Sequence, residues 1–89
     1  MNQVVLDGTA AEITEHDDGT TTLSLRRTDY DGTQLTADIE AGGRLAEFCA
    51  LLSTGARIRI VGRLRNRSAA SDGLVIVAEH IETGGEDED

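Results

Sequence analysis

The chain has no lysine and no tryptophan, and only one cysteine, one tyrosine and one phenylalanine among its 89 residues. Each scarcity excludes something. The single Cys49 rules out an internal disulfide and fits a reducing cytoplasm. One Cys and two widely separated histidines, His16 and His80, give no metal-ligating cluster, and nothing in the sequence calls for a cofactor. No apolar run approaches the roughly 20 residues needed for a membrane span, and no stretch reads as a signal peptide. No nucleophile–base constellation and no phosphate-cradling glycine loop before a helix is present, so an enzyme is not expected. Asp17, Asp18, Asp29 and Asp31 sit beside glycines as turn residues.

What is present is mostly charge, unevenly spread. The formal net charge is −9, and the length allows one domain. Positions 1–43 and 79–89 are acidic, whereas the stretch between them carries six arginines against Glu47 and Asp72. A net-negative chain is poorly placed to attract a polyanion at long range. Salt screens charges beyond about 8 Å, so a local basic face can still act at contact.

That face is the stretch Thr54–Ser68, TGARIRIVGRLRNRS. Ile58, Ile60 and Leu64 alternate with Arg57, Arg59, Arg63, Arg65 and Arg67, with Gly62 in the apolar row and Val61 in the basic one. Period-2 alternation predicts a strand with one dry and one wet face. Gly62 marks a place to bulge or bend.

The remaining elements follow in order. Gln3–Glu15 reads as a first strand with Val4, Leu6, Gly8 and Ala10 on one side. His16–Gly19 is a turn. Thr20–Thr28 is a second strand, with Leu23 and Leu25 inward and Thr22, Ser24, Arg26 and Thr28 outward. Asp29–Gly32 is a hairpin turn. Gln34–Glu40 is a third strand, with Leu35, Ala37 and Ile39 inward. Leu45, Phe48, Cys49 and Leu52 then recur at the spacing of one helical stripe, with Gly55 as its expected C-terminal glycine. After the arginine strand, Leu74–Glu82 is a fifth strand, and the acidic end 84–89 is expected to be a disordered tail. The order β-β-β-α-β-β predicts a mostly β protein: a five-stranded OB-fold barrel over residues 1–83, with one short helix between strands three and four. A different α+β sheet is the alternative.

Residues Gly43–Arg67 (GRLAEFCALLSTGARIRIVGRLRNR) resemble the corresponding region of the bacterial single-stranded DNA-binding proteins. The matching positions are Gly43 to Phe48, then Gly55, Arg57, Ile58, Ile60, Gly62, Leu64 and Arg67. IVAEHIE resembles that family's fifth-strand ending. NQVVLDG resembles its first strand, and Val5, Leu6, Gly8 and Thr9 also match the opening of the related primosomal replication protein N. The resemblance implies an OB-fold that works as a dimer or tetramer and binds single strands in replication, repair or restart, beside other proteins of those processes. Three features depart from it. Only Tyr30 and Phe48 could stack on bases, an interaction worth about 1–3 kcal/mol per base in such binders. The outward face of strands two and three is small, polar and partly acidic. The acidic tail lacks an apolar end, so no tail-docked partner is carried over.

The candidate nucleic-acid contacts are therefore Arg26, Tyr30, Arg57, Arg59, Arg63, Arg65 and Arg67. Guanidinium groups two residues apart on a strand stand about 6.6 Å from one another and offer planar forks to phosphate. Arg63, Arg65 and Arg67 are favoured because they approach the loop between strands four and five. Arg26 faces outward, whereas Arg27 falls on the inward side, at the rim. The plainer readings stand beside these. The arginines pair with acids such as Glu79 or Glu12, or line a subunit contact, and Tyr30 packs on its own loop. Two functions are consistent with this: a single-stranded DNA (or RNA) binder using arginine–phosphate contacts with little stacking, or a diverged relative acting as an assembly module.

Overall fold

The computed structural model describes residues 2–66 and 73–83, which form one closed barrel. Its elements are β1 (Val4–Glu15), β2 (Thr21–Thr28), β3 (Gln34–Ala41), α1 (Gly43–Ala50), β4 (Arg57–Asn66) and β5 (Leu74–Thr83). The strands close in the order β1-β2-β3-β5-β4, and all neighbours are antiparallel except β3 and β5. The expected element order holds. Alternation is the reason: one row of each strand is apolar, and closing the sheet hides every such row at once. Leu25, Ile39, Ile58 and Ile60 are at most 2% exposed, and burying a side chain of this size contributes about 1.5–3 kcal/mol.

The helix plugs one end of the barrel. Cys49 is fully buried in the core, and the hydroxyl of the buried Thr21 donates to the Ala46 carbonyl at 3.0 Å. Phe48, expected on the core stripe, is instead 36% exposed and lies outside the core cluster. The helix stops at Leu51 with a tightened last turn, Leu51 N–H to Phe48 O at 3.1 Å, and so does not reach Gly55. Gly55 instead starts the next strand pairing: at φ +93° it donates its N–H to the Ala10 carbonyl at 2.7 Å.

Two bulges shape the sheet. Between Gly62 and Val61 the partner on β5 jumps from Ala78 to His80, so Glu79 is the extra residue. The bulge expected in the arginine strand at Gly62 lies instead on β5, opposite that glycine, and glycine is required at 62 because a Cβ would strike the Val77 carbonyl oxygen. The second bulge adds a residue to β1 between Ala11 and Thr14, where Glu12 takes φ +53°. It brings Ser24, expected to face outward, to 7% exposure under the Glu12 carboxylate. Leu35, expected inward, is 41% exposed. It pairs with Arg27 beyond Thr9–Arg26, where the registered pairing of β1 with β2 stops, so no strand covers it.

Candidate nucleic-acid interface

The site grows from one register row. Thr36 on β3 pairs with Arg26 on β2, Arg26 with Thr9 on β1, and Thr9 with Arg57 on β4. Aligned residues on neighbouring strands point to the same face, so Arg26 and Arg57 flank Thr9 on the outside of the barrel, with backbones about 10 Å apart. An open groove of about 670 Å³ lies over this row, and its lining includes Thr9, Thr28 and Thr36, the arginines Arg26, Arg27 and Arg57, the acid Asp7 and the apolar Leu35. The lining is mostly polar, with three cations against one carboxylate.

Four arginines around the barrel already hold carboxylates. Arg26 pairs with Glu12 at 3.4 Å. Arg27 emerges at the rim and bonds Asp7 and, through Nε, Asp29 at 2.9 Å. The hydrogen bond to Asp29, with the charges of Asp7 and Asp29, raises its pKa. On the far half of β4, Arg63 Nε meets Glu79 at 2.8 Å and Arg65 bonds Glu40. The bulge residue Glu79 is thus one of the acids expected to pair with this face, and Glu12 takes Arg26.

Arg57 and Arg59 form no ion pair among the described residues, although Arg59 stands in register with Asp7 on one side and Glu82 on the other. Among the described arginines of β4, the ones without an ion pair therefore lie at its start, while those near the β4–β5 loop are paired. Arg67 lies outside the described residues, as does the acidic tail 84–89. Tyr30 is fully exposed at the tip of the β2–β3 hairpin and does not pack on its own loop. That turn is fixed by Gly32 N–H to Asp29 O at 2.9 Å and Thr33 N–H to Asp31 Oδ1 at 2.9 Å. Sequence reasoning did not single out Asp7 and Glu40 as arginine partners. Both pairs cross strands, and only the register brings their members together.

No family model matches the chain, and no curated protein matches its sequence. Solved structures do match. The N-terminal domain of the PriB protein from Thermoanaerobacter tencongensis, described as dimeric, superposes with a TM-score of 0.76 at 26% identity, over 96% of this chain and 98% of that one. A deletion variant of the single-stranded DNA binding protein from Thermus aquaticus superposes with a TM-score of 0.75 at 24% identity. That match covers all of this chain and 43% of the other. The barrel is an OB-fold. The resemblance seen in the sequence is thus matched by structural likeness to a PriB protein and to a single-stranded DNA binding protein. Among the described residues of this OB-fold, no helix is long and apolar enough to cross a membrane.

Proposed function

We propose that the chain binds single-stranded DNA in replication, repair or replication restart, through arginine–phosphate contacts with little stacking and no catalytic step. The observation that carries the reading is Arg57. It borders an open polar groove on the outside of an OB-fold, in register with Arg26 across Thr9, and is held by no carboxylate of the described residues. Arg57 and Arg59 make the first contacts, and Arg26 joins them. Tyr30 at the hairpin tip supplies the one exposed ring, and Arg63, Arg65 and Arg67 extend the track along β4.

The experiment is a fluorescence-anisotropy titration with labelled oligothymidine at low salt. Binding should weaken as salt rises and fall further in Arg57→Ala/Arg59→Ala. An oligouridine arm separates DNA from RNA preference. No anisotropy change up to about 100 μM protein, the weak end of ordinary non-specific binding, would reject the reading.

The second reading, an assembly module with little nucleic-acid affinity, is favoured by the carboxylates on Arg26, Arg27, Arg63 and Arg65. Self-association belongs to both readings. Residues Val4–Gly8 of β1 are registered only with β4, which leaves their other edge for a second copy of the chain. The PriB neighbour is described as dimeric. Light scattering giving twice the monomer mass or more supports this, and a monomer at working concentration rejects it.

A further inference from the structure

The cations of the groove are not equivalent, and the difference lies in β1. Glu12 is the one non-glycine residue with positive φ among the described residues. A side chain in that conformation is strained, and such strain persists where the surrounding structure enforces it. Here the enforcing feature is the β1 bulge, which inserts the extra residue beside Ser24. Bulges re-aim side chains. This one brings one Glu12 oxygen to the buried Ser24 hydroxyl, which donates to it at 3.0 Å, and the other within 3.4 Å of the Arg26 guanidinium. On the next residue of β2, Asp7 bonds Arg27. Two of the groove's three arginines therefore carry an internal anion, and Arg57 does not.

We infer that Glu12 and Asp7 are affinity-limiting residues of the nucleic-acid groove: internal carboxylates that a phosphodiester must displace from Arg26 and Arg27 after it has met Arg57. This rests on the reading of the groove as a single-strand site. Both pairs are about half exposed, and exposed ion pairs are weak, so the displacement is easy and the brake is mild. It has two consequences. The native chain exchanges few counterions for phosphates. Neutralising Glu12 leaves Arg26 ready for phosphate, and neutralising Asp7 frees the terminal guanidinium nitrogen of Arg27 while its Nε stays on Asp29. Each change adds affinity and steepens the salt dependence together.

The test compares Glu12→Gln and Asp7→Asn with the native chain in the oligothymidine titration over a salt series. Glutamine keeps an oxygen for the Ser24 hydroxyl, so the bulge keeps its partner. Each variant should bind roughly two- to fivefold more tightly. The slope of log affinity against log salt should steepen by about 0.7 for each phosphate newly engaged. Glu47→Gln, an exposed change of equal charge on α1, controls for net charge and should leave the slope unchanged. If the native chain binds and neither groove variant differs from it, or if Glu47→Gln does as much, the inference falls while the binding reading stands. If neither the native chain nor any variant binds, both fall. Binding gained only in the variants supports the inference outright. Circular dichroism checks each fold, and if Glu12→Gln fails to fold, Asp7→Asn decides alone.

Discussion

The side-chain amide of Asn2 does for Leu64 what a neighbouring strand would do: its Nδ2 donates to the Leu64 carbonyl at 2.8 Å, and its Oδ1 accepts from the Leu64 N–H at 3.0 Å. The registered pairing of β1 with β4 ends at Val4–Gly62, so this exchange covers the strand edge just beyond it. Asn2→Ala should cost about 1 kcal/mol in urea denaturation, because both Leu64 groups return to water rather than being stranded in the core. Amide exchange at Leu64 should quicken more than at Ile60. Equal protection at both positions would contradict the cap.

Gly62→Ala should be among the most damaging conservative changes in the chain. The added methyl meets the Val77 carbonyl oxygen and stands 3.0 Å from Ile76 Cγ2. Neither is the free end of a flexible side chain, so the bulge itself must shift, at a cost of about 2 kcal/mol. A urea midpoint matching the native one would show that the β4–β5 bulge absorbs a side chain.

Acid should remove part of the stability of the β1–β2 turn. The Thr20 hydroxyl, at 2.7 Å, and then the Thr20 N–H, at 3.0 Å, hold the Asp18 carboxyl below its ordinary pKa of 3.8. A pKa lowered on folding contributes stability above the unfolded value and loses it as pH falls through the folded one. Asp18→Ala should therefore lower the melting temperature at neutral pH. The gap to the native chain should close as pH drops below about 4. A gap that widens in acid would reverse the sign.

Cys49 should be silent to thiol reagents until the barrel opens. It is fully buried, and burial pushes its thiol pKa up, so both access and thiolate are withheld. Its labelling rate under native conditions should track global unfolding measured by urea. Fast labelling of folded protein would mean that α1 lifts off independently.

The strands were legible because Ile58, Ile60, Leu23, Leu25 and Ile39 recur with period two, and a barrel needs nothing beyond an apolar row on each strand. Leu35 was misread because periodicity fixes a side of the strand and says nothing of whether another strand lies opposite. Ser24 lies on the outward side between the core residues Leu23 and Leu25, but its burial was not legible because the β1 bulge that covers it has no glycine to announce it: a glutamate takes the left-handed position. The arginine row was legible as a face, but its division into held and free groups was not. Arg65 meets Glu40 from 25 positions away and Arg27 meets Asp7 from 20, distances at which only the register creates neighbours.

The barrel is fastened by a short parallel seam, Ile39 with Ile76 and Glu40 with Val77, while every other join is a longer antiparallel ladder. Two rungs drawn from opposite halves of the sequence are expected to form last and part first, because few contacts offset the loop closed between them. Undoing them leaves the β1–β2–β3 meander and the β4–β5 hairpin each whole, with β1–β4 as the one strand pairing between them and α1 as the covalent link. The cylinder thus has a built-in clasp, and swelling, proteolytic nicking or exchange of halves between molecules would begin at that clasp.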